Sequence, residues 1–154
     1  MTEKKAASAV AEDVFDVSEA DSIDEAEMEV LVNGKPTGWT WTFAGPGHPQ
    51  TIALGDKMAK ERLAEERLQE QARVNGRKWK APVETVDDAR SRNVGLVVGR
   101  LLGWSPVKMN GEDYPFSPAN AKTLLMDHRK GQLLLQALEF IGDENSFTPR
   151  SETA

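Results

Sequence analysis

The clearest pattern in the chain is a strict alternation: Trp39, Trp41 and Phe43 are separated by Thr40 and Thr42. A strand through 38–43 puts three aromatic rings on one face and hydroxyls on the other. Upstream, Met28-Glu29-Val30-Leu31-Val32 also reads as a strand. Between the two, Asn33-Gly34-Lys35-Pro36 is turn chemistry, because Asn-Gly tolerates positive φ. The pair predicts a β-hairpin whose aromatic face must be covered by a helix or by a partner. Ala44-Gly45-Pro46-Gly47-His48-Pro49 then reads as a tight loop.

From Gln50 to Val74 the pattern is charged and helical, and Asn75-Gly76 stops it. Its apolar positions do not form one stripe. Ile52, Ala59 and Leu63 share one side, while Leu54, Met58, Leu68 and Ala72 fall nearly opposite, so the helix meets two things or stays partly solvated. Glu84 to Leu102 predicts a second helix, with Val83, Val86, Val94, Val97, Val98 and Leu101 on one face. Asp87 and Asp88 suit its first turns, where the helix dipole favours anions, and Gly103-Trp104 ends it. Val107 to Tyr114 predicts a short turn or hairpin about Asn110-Gly111. Ser117-Pro118 is a helix start, with a capping hydroxyl and a proline at the first helical position. That helix carries Ala121, Leu124, Leu125 and Met126, and Gly131 weakens it. Leu133 to Ile141 is apolar nearly all round, which predicts burial for Leu134, Leu135 and Leu138. Gly142-Asp143-Glu144-Asn145 ends it, and Phe147 is a candidate anchor. The expected fold is α+β and mostly α: an N-terminal β-hairpin packed with about four helices, without internal repeats.

Composition adds an N-terminal tail. The 154 residues suit one domain, but 39% hydrophobic and 29% charged leave part of the chain unpacked against globular averages. The net charge of −6 is uneven: residues 1–29 hold ten acids and two lysines, and residues 30–154 hold fifteen acids and seventeen bases. Residues 1–26 therefore read as a disordered acidic tail, 27–148 as a single α+β domain and 149–154 as a frayed end. Val14-Phe15-Asp16-Val17 stands out in the tail as a candidate docking motif against a solvated background. An acidic tail repels nucleic acid. No apolar run approaches a membrane span, the N-terminus lacks the apolar stretch of a secretory signal, and Cys is absent. The expected compartment is the cytoplasm.

No catalytic constellation appears, and a non-enzymatic protein is expected. His48 sits in a Gly/Pro loop and reads as a turn residue, and His128 as a helix-end residue beside Asp127. Two isolated His without Cys do not make a metal site. Gly45-Pro46-Gly47 lacks the Lys-Ser/Thr of a phosphate loop. No cofactor, metal or small-molecule substrate is expected. Lys57 to Lys80 holds eight bases against four acids. Arg77-Lys78-Trp79-Lys80 has the composition to stack on nucleic acid, although an exposed helix with a basic linker accounts for it more simply.

Two segments carry a resemblance. Val32-Asn33-Gly34-Lys35-Pro36-Thr37-Gly38, the aromatic strand, then Gly45-Pro46-Gly47-His48 resembles the opening hairpin of small proteins from tailed-phage and prophage tail modules. Leu102-Gly103-Trp104, Asn110-Gly111-Glu112, Pro115-Phe116-Ser117, Asn120-Ala121, Leu124-Leu125 and Phe140-Ile141-Gly142-Asp143 with Phe147 are similar to the C-terminal half of the same group, the tail assembly chaperones. The resemblance spans about residues 28–148. It implies a bacteriophage tail assembly factor, acting in the bacterial host cytoplasm and absent from the mature virion. Such a factor binds the tape-measure protein, the tail-tube protein or both, and keeps its partner soluble during tail morphogenesis. The alternative is a structural virion component, a minor tail or head–tail connector protein. The expected partner-binding residues are Trp39, Trp41, Phe43, Leu54, Met58, Leu68 and Trp79, drawn from the hairpin's aromatic face, the first helix and the basic linker.

Overall fold

The computed structural model describes residues 14–80 and 83–149. The first half of the expected acidic tail, residues 1–13, and the expected frayed end from residue 150 lie outside the described residues.

The hairpin forms where the alternation places it, and it is longer than expected. β1 spans Glu25–Val32 and β2 spans Lys35–Ala44, so β1 starts three residues before Met28. Ala26, assigned to the tail on sequence, is buried, as are Met28 and Val30 on the same face. Upstream, the Ile23 N–H donates to the Phe147 carbonyl at 2.9 Å, which ties the entry to β1 to the far end of the chain. The turn takes positive φ at both Asn33 and Gly34, the geometry that matches the right-handed twist of a two-residue hairpin.

The register sets Met28 opposite Trp41 and Ala26 opposite Phe43, so the inward faces of the two strands make one apolar layer. A third strand, β3 (Leu101–Trp104), joins the other edge of β2 antiparallel, with Trp41 opposite Trp104. This corrects the helix expected through Leu102. The helical pattern ends at Arg100, and Leu101 to Trp104 leave the helix directly into the sheet. The sheet order is β1-β2-β3.

Among the described residues four α-helices accompany the sheet: α1 (Pro49–Val74), α2 (Val86–Arg100), α3 (Pro118–Met126) and α4 (Gly131–Gly142). A two-residue hairpin, β4 (Lys108–Met109) with β5 (Glu112–Asp113), turns at Asn110-Gly111 as expected. The fold class is α+β and mostly α. Thr85 caps α2 in a reciprocal box with Asp88, and Ser117 caps α3 with Pro118 at its first position. A short 3-10 turn, His128–Lys130, separates α3 from α4.

The core lies between the aromatic face of the sheet and α2, α3 and α4. Trp41, Phe43, Leu101, Leu125, Val30, Val94 and Val97 are its largest fully buried side chains. The Arg100 guanidinium closes one end: it donates to the Ala44 carbonyl through Nε (3.1 Å) and Nη2 (2.8 Å) and lies over the Phe147 ring. Two expectations for helix faces are corrected. Val83 and Val86 are exposed: Val83 precedes α2, Val86 is its first residue, and the buried positions of α2 are Val94 and Val97. Leu135 is 56% exposed, and Leu138 is half-buried; the α4 face that packs is the one carrying Leu134 and Ala137.

Candidate protein-binding surface

The aromatic strand divides its three expected site residues. Trp41 and Phe43 are fully buried and belong to the core, not to a contact surface. The reason is the cover: the Phe43 ring lies 5.5 Å from Phe140 of α4, and Trp41 lies 5.8 Å from Trp104 of β3. Trp39, nearest the hairpin tip, is only half-buried. Its ring packs edge-on against both Trp41 (5.2 Å) and Trp104 (5.4 Å), a geometry that aligns ring edges with ring faces. Trp104 in turn stacks on Tyr114 and donates its indole N–H to the Tyr114 carbonyl at 3.1 Å.

α1 behaves differently from the other helices. Its start is well specified: the His48 Nδ1 accepts from the Gln50 N–H at 3.0 Å, and Pro49 takes the first helical position. Gln50 reaches across to α2 through its Nε2, which donates to the Gly99 carbonyl at 3.0 Å. Leu54 packs onto Gly99, where a Cβ would lie 2.8 Å from its Cδ1; the glycine is what lets the two helices approach there. Beyond that point the seam loosens into an open cavity of about 630 Å³, bordered by Met58, Glu65, Asp88, Arg92 and Leu96. No residue of α1 is buried along its 26 residues.

Of the expected α1 contact residues, Leu54 therefore serves the α2 seam, Met58 borders it, and Leu68 lies free beyond it. Ile52 and Leu63, on the opposite side, are also exposed. Trp79, on the linker after α1, is half-buried, and its indole Nε1 lies out of solvent without an acceptor among the described residues. Electrostatically α1 is balanced, with five acids and five bases from Pro49 to Val74; Glu70 pairs with Arg73, which holds the Glu70 carboxyl below its ordinary value.

A second surface was not singled out by the sequence. At the tip of the β1–β2 hairpin an open groove of about 890 Å³ runs between the sheet end and α4. Leu31, Val32, Trp39, Val107, Leu133 and Leu135 supply its apolar lining. Gln136 props this end: it accepts from the Leu31 N–H at 2.9 Å and donates to the Leu31 carbonyl at 2.8 Å, clamping the outer edge of β1 to α4. The rim is the 3-10 turn. Asp127 accepts from Arg129 (Nη2, 3.1 Å) and Lys130 (Nζ, 2.8 Å), and those two cations, Arg129 first, hold its carboxyl far below the usual carboxylate range. His128 pairs with Asp87 at 3.0 Å across to the start of α2. The available signal was three consecutive apolar residues at 30–32, a run that breaks alternation where the ladder shifts register between Glu29 and Leu31.

Among the described residues no three His, Asp or Glu side chains converge as a metal would require, and no helix is long and apolar enough to cross a membrane. No family model, curated protein or solved structure matches the chain.

Proposed function

We propose that the chain is a non-enzymatic phage tail assembly factor that holds the tape-measure protein, the tail-tube protein or both in soluble form, with α1 as its working surface. The observation that carries this reading is a 26-residue helix with no buried residue that still carries Ile52, Met58, Leu63, Leu68 and Val74, each at least 42% exposed. A solvated helix draws little stability from propensity alone, so apolar groups left outward on it are best explained by a partner that covers them. Ile52, Leu63 and Val74 recur at eleven-residue spacing along one side of the helix, and Met58 and Leu68 lie on the other, so a long helical tape-measure segment would be covered along either side. The likeness of residues 28–148 to tail assembly chaperones supplies the biological setting: the host cytoplasm, and release before the virion is complete.

The test is co-purification with a phage tape-measure protein. Leu68→Ala and Leu63→Ala remove exposed groups, so melting midpoints stay within about 2 °C of wild type, consistent with the small effect of surface substitutions. Capture of the tape-measure protein falls at least tenfold in the double variant. Undiminished capture rejects α1 as the surface and moves the search to Trp79. Mass spectrometry of purified virions decides between an assembly factor, which is absent, and a structural component, which is present at stoichiometric copy number.

A further inference from the structure

The groove at the hairpin tip and the acidic entry segment of the chain are complementary. Val14, Phe15 and Val17 are 64–74% exposed, three large apolar groups on a segment with almost nothing packed over it. They lie within a strongly acidic stretch: residues 12–24 hold six acids, and residues 6–34 contain no Lys or Arg. The Asp16 carboxylate accepts from the Ser18 N–H and hydroxyl and shapes the 3-10 turn Val17–Ala20, so the apolar groups are presented on a local turn. The groove offers an apolar lining and a rim on which two cations, Arg129 and Lys130, share one carboxylate, Asp127, with Arg129 the more exposed of the two.

The two features lie at opposite ends of β1. Ile23 is fixed at the Phe147 carbonyl, and the groove begins at Val30 to Val32. The strand between them covers roughly 26 Å at about 3.3 Å per residue. Phe15 lies eight residues before Ile23, so it would reach its own groove only with the segment fully stretched and the capped turn unmade. A second molecule meets neither requirement.

We propose that the groove receives the Val14–Val17 segment of a second copy of this chain. The apolar groups of the segment cover Leu31, Trp39 and Leu135, and Asp16 faces Arg129. Donor and acceptor are different surfaces, so two copies can exchange segments reciprocally in a dimer or continue head-to-tail into a ring or chain. This surface is separate from the outward side of α1, and the proposal does not depend on the tail-assembly reading.

Sedimentation equilibrium over a concentration series, on the full chain, tests it. Wild type shows an average mass that rises with concentration. Phe15→Ala removes the donor and Leu135→Glu the acceptor; both positions are exposed, and each variant alone is monomeric with an unchanged melting midpoint. Arg129→Glu is the second acceptor variant should Leu135→Glu melt early. Mixing Phe15→Ala with Leu135→Glu restores association through the one intact groove and the one intact segment. The mixture stops at a 1:1 dimer, because only one segment and one groove remain intact. A wild type that stays monomeric up to its solubility limit, a Phe15→Ala chain that associates like wild type, or a mixture that stays monomeric overturns the proposal. Leu68→Ala leaves self-association unchanged, so loss of tape-measure capture in that variant speaks only to the α1 surface.

Discussion

Gly45 leaves β2 beneath the carbonyl of Ile23. Its N–H donates to the Asp24 carbonyl at 2.7 Å, and a Cβ at this position would lie 2.0 Å from the Ile23 oxygen. Gly45→Ala therefore forces two backbone segments apart and destabilises the protein by roughly 1–3 kcal/mol, the range for overpacking a close contact; a denaturant melt checks it. Asp127 gives a pH-dependent prediction. Arg129 and Lys130 lower its folded pKa below the unfolded carboxylate value of about 3.9. A lowered folded pKa contributes stability that is present above the unfolded value and lost as pH falls toward the folded one. Asp127→Asn should melt slightly below wild type at pH 7, and the gap should narrow below about pH 4. A gap that stays constant down to pH 3 contradicts the assignment.

The elements that sequence reading located best are those fixed by local chemistry. Asn33-Gly34 and Asn110-Gly111 turn the chain with positive φ at both residues, Asn75-Gly76 ends α1 with positive φ at the glycine, and Ser117-Pro118 starts a helix. His48, read as a turn residue, proves to be the cap of α1. β3 was missed because nothing local marks it. Leu101 and Leu102 extend the apolar pattern of α2 and Gly103 reads as a helix stop, and only the long-range pairing of Trp104 with Trp41 makes the segment a strand. α4 shows the matching failure in a helix: an all-round apolar sequence does not say which side finds a partner. The structure answers with Leu134 inward and Leu135 outward. Leu134→Ala should cost about 2–5 kcal/mol, as buried leucine truncations do, whereas Leu135→Ala should stay within about 0.5 kcal/mol. Urea midpoints of the two variants measure the contrast, and equal losses would mean that α4 sits differently on the sheet.

At the scale of the whole molecule, the sheet with α2, α3 and α4 forms a packed body, and α1 attaches to it at its N-terminal end through Gln50, Leu54 and Gly99. Alternation correctly placed Trp39, Trp41 and Phe43 on one face, but a period of two cannot reveal what covers that face. Trp41 and Phe43 went to the core for that reason, and only the tip residue Trp39 stayed near the surface. The split apolar pattern of α1 was legible and explains its unburied state; the groove was not, because it joins residues about 100 positions apart. Hydrogen–deuterium exchange of residues 61–74, in the free protein and with the tape-measure protein added, tests the working surface most directly. Amides of this solvated half of α1 should exchange rapidly in the free protein and slow at least tenfold in the complex, while those of β2 change little. A complex that forms and leaves residues 61–74 exchanging at the free rate would contradict the claim that α1 is where the partner binds.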